Sequence, residues 1–344
     1  MEDKIVYAPI LIPTLCRDEH LIRCVESLKR NGWARYTDVY IAVDYPKNDS
    51  HWTGYKKICD YLEGDFPEFA SFHVVKRTEN QGPSKNMRML LEDIVQKYDR
   101  YIRTDDDVEF SPNFIEYVDK GLMYYENDDD VIGVTGYSFP VGWCATQGST
   151  VIKERIVAPV WGIGFWVKKR QIFVDEIEGG GLFDIFEKGH RRHMFKGMTD
   201  TCVRDYRNAY ASGLYTKSGL FRVTDLTLAM YLGAKNKYVV SPIVSKARNW
   251  GFDGTGVSCV DVSAQTKNAR SYTYPYAQQP IDEEMHFELI ESQELYLEEN
   301  LKRYNEFDRR TKWEKWKPQL KLMCLRLFGR KLFIRLGRKI HERH

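Results

Sequence analysis

The sequence predicts an α/β protein: a mixed, mostly parallel sheet flanked by helices, followed by a basic amphipathic helical tail. Three observations predict it. Strand-like and helix-like stretches alternate through the first hundred residues, one of those strands runs straight into Asp105-Asp106-Asp107, and charge is divided unevenly between the body and the C-terminus. Of the 344 residues 43% are hydrophobic, 14% aromatic and 29% charged, which excludes disordered, collagen-like and polytopic membrane classes. That length suits one large α/β domain with an appendage.

The elements follow in order. Ile5 to Thr14 is rich in β-formers, Glu19 to Asn31 carries Leu21, Val25 and Leu28 at helical spacing, and Val39 to Val43 is a short apolar run ending at Asp44. A second helix is expected from His51 to Leu62 and a strand from Ser71 to Lys76. The turn Asn80-Gln81-Gly82-Pro83 then leads into a helix from about Ser84 to Tyr98, and a strand from Arg100 to Thr104 meets the acidic run. Strands separated by helices favour a parallel sheet whose ligand site lies at the carboxyl ends of its strands. Beyond Asp107 the pattern predicts a helix over Asn113 to Tyr125 and strands at Val131 to Thr135 and Pro159 to Val167. A helix from Thr224-Asp225 to Leu232 and a strand from Tyr238 to Val240 follow. Gly179 to Gly181 and Gly189 to Asp200 read as loops, Lys246 to Ser258 as a mobile one, and Ile281 to Tyr304 as a charged amphipathic helix.

Seven widely scattered Cys, with no CxxC pair, fit a reducing compartment and no zinc site. The acidic start at Glu2-Asp3 and the prolines at 9 and 13 match neither a secretory signal nor a membrane span, so a cytoplasmic body is expected. The formal net charge of +2 conceals a division. Residues 312–344 hold eleven Lys/Arg against Glu314 and Glu342, a net of +9, which leaves −7 on residues 1–311.

Three adjacent carboxylates repel one another, and placing them at a strand end is costly unless a cation neutralises them. Mg²⁺ or Mn²⁺ takes oxygen ligands and keeps positions open for a pyrophosphate, so the run suits a nucleotide-diphosphate ligand. A solvated acidic turn is the plain alternative, as at Asp128-Asp129-Asp130. The first triplet differs in following a β-rich segment.

The run Asp105-Asp106-Asp107-Val108-Glu109-Phe110-Ser111-Pro112-Asn113-Phe114 resembles the acidic metal-binding motif and following helix of GT-A glycosyltransferases, especially the N-acetylglucosaminyltransferase I type and related bacterial surface-polysaccharide enzymes. The similarity spans roughly residues 5 to 260 in motif order. It implies that Asp107 binds Mn²⁺ or Mg²⁺ directly, with Asp105 and Asp106 on ribose, metal waters or sugar. Three acids stand where many relatives have two, which leaves the register open by one residue. Arg17 resembles the Arg that approaches the ribose and phosphates, against a plain surface Arg beside Asp18 and Glu19. Asp44 resembles the acid that accepts the uracil N–H, against an ordinary turn. Asn80 to Asn86 resembles the segment leading into the helix before the metal motif, which implies Lys85 and Asn86 near the donor, while a helix start also explains Ser84 and Lys85. Gly164, in Trp161-Gly162-Ile163-Gly164-Phe165-Trp166, resembles the small-residue strand beneath the donor sugar, against a strand bend. Residues 246–259 resemble a lid, with Lys246 and Arg248 toward the leaving diphosphate and Trp250 over the sugar. Thr224-Asp225-Leu226 resembles the acid that opens a helix and deprotonates the acceptor, an N-cap being the structural alternative. Asp175, Asp200 and Asp205 stand in reserve for that role, and His193 is left out of the metal site.

In the tail, a helix from about Pro318 would line up Leu322, Leu325, Leu332, Leu336 and Ile340, with Lys331, Arg335 and Arg338 opposite, Arg330 and Lys339 flanking, Leu327 and Ile334 as exceptions, and Trp313 and Trp316 ahead. This suits an anionic membrane surface better than nucleic acid, with packing on the protein's own core as the other option. The organisation expected is therefore a GT-A catalytic domain over 1–265, divided into a nucleotide-binding half (1–110) and an acceptor half (111–265). A linker and amphipathic helix (266–311) and a membrane-associating tail (312–344) follow. The implied activity is metal-dependent transfer of a sugar, inverting by the resemblance with retaining transfer left open, from a nucleotide diphosphate donor, a UDP-sugar, to a carbohydrate acceptor. A lipid-linked oligosaccharide at the inner face of the cell membrane would be that acceptor. The rivals are a non-catalytic scaffold of the same fold and a sugar nucleotidyltransferase, the latter disfavoured because Pro13 to Asp18 holds no Gly.

Overall fold

A computed structural model describes residues 7–156, 159–179, 199, 225–256, 279–293 and 297–307, together with 316, 320, 323, 324 and 327. The first half is a run of βα units: β1 (Ile10–Thr14), α1 (Asp18–Lys29), β2 (Asp38–Val43), α2 (Trp52–Tyr61), β3 (Ser71–Lys76), α3 (Pro83–Ile94) and β4 (Arg100–Arg103). After these come β5 (Val108–Phe110), α4 (Phe114–Tyr124), β6 (Val131–Thr135), β7 (Val151–Glu154), β8 (Ile163–Trp166) and α5 (Val167–Glu178). Beyond the undescribed stretch lie α6 (Asp225–Lys235), β9 (Tyr238–Pro242), β10 (Ala247–Asn249) and α7 (Leu297–Phe307).

Eight strands form one sheet in the order β3-β2-β1-β4-β8-β6-β9-β7, while β10 and β5 form a separate two-stranded ribbon. Strands β3, β2, β1 and β4 are parallel, and β8 runs antiparallel to both β4 and β6. The chain enters at β1, moves outward to β3, then returns to place β4 on the other side of β1. That reversal opens a crevice beyond the carboxyl ends of β1 and β4. Alternate side chains explain the two helical layers. Ile10 and Ile12 of β1 join Leu21, Val25 and Leu28 of α1 in one buried cluster, whereas Leu11 joins Met87, Leu90 and Ile94 of α3 in another.

The structure differs from the expected elements beyond β4. Strands β5, β7 and β10, each of three or four residues, are additions, as is α5. Residues 246–249 are not a free loop, because Ala247, Arg248 and Asn249 pair with Phe110, Glu109 and Val108. The helix expected over Ile281 to Tyr304 is restricted to Leu297–Phe307. Residues 281–290 are instead held as a strap: Asp282 pairs with Lys246 and accepts from Asn113 Nδ2 at 3.1 Å, Phe287 is buried against Tyr117, and Ile290 O accepts from Thr150 N at 2.8 Å. These long-range contacts override helical spacing. His193, Asp200, Asp205 and most of the tail lie outside the described residues, and no described helix is long and apolar enough to cross a membrane.

Candidate active site

The acidic run leaves β4 at the crevice, and the residues after β1 rise to meet it. Thr14 Oγ1 donates to Asp106 Oδ2 at 2.8 Å, Arg17 Nη2 donates to Asp106 Oδ1, and Arg17 Nη1 donates to Asp107 Oδ2 at 2.8 Å. One planar guanidinium thus bridges two carboxylates, a geometry that Lys cannot reproduce. Burial works against charge on Arg17, but Asp106 and Asp107 outweigh it and hold its proton more tightly than usual. From the ribbon, Asn249 Nδ2 donates to Asp107 Oδ1 at 2.8 Å and Trp250 N to Asp107 O at 2.8 Å, while Gly251 N donates to Asn249 Oδ1 at 2.7 Å.

The Asp105 carboxyl is pushed up to about 7. Burial is the main cause, followed by Asp107; Arg103 pulls the other way, and Asp225 and Asp106 add to the rise. Asp225 opens α6, and burial raises it to about 6 against the pull of Arg103 and of backbone N–H groups. Asp105 and Asp225, 120 positions apart in sequence, therefore share one electrostatic neighbourhood, and Arg103 acts on both. Four carboxyl groups stand against two guanidiniums, Arg17 and Arg103, so acidic groups outnumber basic ones at the site. An all-oxygen donor set with that deficit of positive charge fits a hard divalent cation. The described residues contain no ready-made group of three His, Cys, Asp or Glu ligands, so such an ion would depend on its nucleotide partner for further oxygens.

The other expected donor contacts are placed as follows. Asp44, at the end of β2, accepts from Tyr45 N (2.9 Å), Gln81 N (2.8 Å), Gly82 N (2.8 Å) and Asn80 Nδ2 (3.3 Å). Those four bonds fill the acceptor positions of the carboxylate, which holds the 80–82 turn to β2. Lys85 is exposed on the first turn of α3. Asn86 is buried, donating to Ala42 O at 2.8 Å and accepting from Arg77 Nε at 2.9 Å, so it ties α3 to β2. Gly164 lies mid-strand in β8, and a Cβ there would stand 2.5 Å from Val118 Cγ1. Its missing side chain admits α4. Arg248 and Trp250 turn to Glu109: Arg248 Nε and Nη2 donate to its two oxygens at 2.8 and 3.0 Å, and Trp250 Nε1 donates at 2.7 Å. The sequence reading missed Thr14, Arg103, Glu109, Asn249 and Gly251. Each borders a motif already singled out, but its partner is remote along the chain.

A parallel half-sheet with an acidic, Arg-bridged knot at its switch point, continued by an antiparallel strand and a second half, is the GT-A arrangement. Residues 10–173, just under half of the chain, match the family model described as Glycosyl transferase family 2. No curated protein matches the chain. Similar solved structures include the crystal structure of S. aureus TarS, 12% identical with a TM-score of 0.30, covering 42% of this chain and 24% of that one. TarS 1-349 is 12% identical with a TM-score of 0.33, covering 48% and 50%, and its complex with UDP-GlcNAc is 12% identical with a TM-score of 0.30, covering 42% and 39%. The similarity takes in half or less of each of those chains.

Proposed function

We propose that the protein is a metal-dependent, inverting glycosyltransferase that moves a sugar from a nucleotide diphosphate donor, a UDP-sugar, to a carbohydrate acceptor. The observation that carries this reading is the knot of Arg17, Asp106, Asp107 and Asn249 at the sheet's switch point, with Asp105 and Asp225 within electrostatic reach of one another beside it. Asp107, helped by Asp105 or Asp106, would hold Mn²⁺ or Mg²⁺. When bound, that ion supplies charge stabilisation for the departing diphosphate. Arg17 has guanidinium donors beyond those given to Asp106 and Asp107 and offers them to phosphate oxygens. Asp225 accepts the proton of the acceptor hydroxyl as its oxygen bonds the anomeric carbon, while the sugar–phosphate bond breaks and its electron pair leaves with the nucleotide. A base needs to be ionised yet basic, and a carboxyl raised to about 6 meets both demands near neutrality.

The tail extends the reading. With a net of +9 over residues 312–344 and the apolar stripe from Leu322 to Ile340, it suits an anionic membrane surface. A lipid-linked oligosaccharide acceptor at the inner face of the cell membrane, in surface-polysaccharide synthesis, accords with that placement. Removing residues 312–344 should abolish sedimentation with anionic vesicles; unchanged sedimentation would leave the tail to pack on the protein. For the donor site, calorimetric titration with UDP should show binding that requires Mn²⁺ or Mg²⁺. Equal binding in EDTA would refute the metal assignment.

A further inference from the structure

Glu109 lies two residues beyond the acidic run, on β5, and the chemistry above makes no use of it. Its carboxylate nevertheless gathers the paired donors of Arg248 and the indole N–H of Trp250 from β10 and its extension, with Arg30 Nη2 3.6 Å away. Arg23 covers the Trp250 ring at 4.7 Å and Arg248 at 5.3 Å. Burial pushes the Glu109 carboxyl up, but the bonds from Arg248 and Trp250 win and hold it below its ordinary range.

The ribbon that these bonds fasten has three residue pairs, Ala247 with Phe110, Arg248 with Glu109 and Asn249 with Val108. A two-stranded ribbon that short is marginal by itself, and a slip of one residue would turn each side chain to the opposite face. The even-numbered residues, Arg248 and Trp250, reach Glu109. The odd-numbered ones meet Asp107: Asn249 binds its carboxylate, and Gly251 packs against it. The register that satisfies Glu109 is therefore the register that aims Asn249 at Asp107.

We propose that Glu109 is a positioning residue, a clamp that fixes the register of residues 247–251 on β5 and thereby sets the orientation of Asp107 through Asn249. The proposal rests on the reading of Asp107 as the residue that meets the metal–nucleotide. It also reassigns Arg248 and Trp250 from donor contacts to the clamp.

The test combines hydrogen exchange of the Trp250 and Gly251 amides with UDP titration in Mn²⁺, for the intact protein and for Glu109→Ala, Glu109→Gln and Trp250→Phe. Glu109→Ala should speed exchange at both amides and weaken UDP binding, each by about tenfold or more, the scale of one charge-assisted bond. Glu109→Gln, which can keep one acceptor oxygen, should fall between it and the wild type. Trp250→Phe loses a single hydrogen bond while retaining the ring between Arg23 and Arg248, and gives the graded effect even if Glu109→Ala does not fold. Unchanged exchange in every folded variant overturns the clamp. Faster exchange with undiminished UDP affinity overturns its link to Asp107. Wild-type protein that does not bind UDP with Mn²⁺ overturns the reading of the donor site itself, and the proposal with it.

Discussion

Replacing Gly251 with Ala should disable the donor site while leaving the fold in place. A Cβ at position 251 would stand 2.7 Å from Asp107 Cγ, closer still to Oδ2, and 3.2 Å from Arg17 Nη1. An ordinary carbon–oxygen contact is ~3.5 Å or more, so the methyl cannot be accommodated without displacement. Two responses are available. The Asp107 carboxylate can swing away, which strains or breaks its 2.8 Å bonds from Arg17 and Asn249. The strand can lift instead, which sacrifices the Trp250 N–H bond to Asp107 O and the pairing with β5. Either route costs about 2–4 kcal/mol, from one or two lost bonds to a charged or buried group. Expressed at the carboxylate that meets the metal–nucleotide, this is roughly a 30- to 1000-fold loss of UDP affinity in Mn²⁺. Calorimetry measures it, with Gly32→Ala as the control because a Cβ at Gly32 meets nothing within 4 Å. A Gly251→Ala protein that binds UDP within twofold of wild type, with an unchanged melting temperature, would refute the close-approach argument.

Asp225→Asn should lower turnover by about two orders of magnitude or more with UDP affinity preserved, because only the proton transfer is lost. Since burial raises Asp225 to about 6 and a base works only when ionised, wild-type turnover should fall about tenfold per pH unit below that value. The Asn variant, assayed for its residual rate, should lack that limb. Asp119 gives a stability test away from the site. Burial, opposed by the Ala8 N–H and Arg100, raises it from 3.8 to about 8. A raised acid favours the folded state fully below its unfolded value, and this contribution is lost as pH climbs toward the folded one. Chemical denaturation should therefore show Asp119→Asn gaining on wild type between pH 5 and 8, by at most about 1.4 kcal/mol per unit. A pH-independent difference would contradict the buried assignment. Gly164→Ala, whose Cβ would press on Val118, should destabilise by about 1–3 kcal/mol without changing the UDP affinity of the folded fraction. Selective loss of donor binding would restore Gly164 to the sugar site.

Much of the nucleotide-binding half could be read from local pattern. Leu21, Val25 and Leu28 mark α1 by their spacing, the run from Ser71 to Lys76 coincides with β3, and Asp105 to Asp107 follow a strand as expected. These elements are long enough, or bounded sharply enough, for periodicity to show. Strands β5 and β10 hold three residues each, too few for a period of two to register. Glu109 and Arg248 stand 139 positions apart, and nothing local to either one names the other. The expected helix from Ile281 had amphipathic spacing, but Asp282 and Phe287 are claimed by Lys246, Asn113 and Tyr117 of the body. At Asp44 the strand-end position was legible, while the four N–H groups that occupy its oxygens came together only with the turn at 80–82.

The most direct test of the account is turnover of UDP-, GDP- and dTDP-sugars by the intact protein with Mn²⁺, with Mg²⁺ and with EDTA, in parallel with Asp107→Ala. Slow metal-dependent hydrolysis of a UDP-sugar, absent in the variant, is the expected result. Hydrolysis undiminished in EDTA or in Asp107→Ala would contradict it, as would a folded wild-type protein that neither binds nor cleaves any donor.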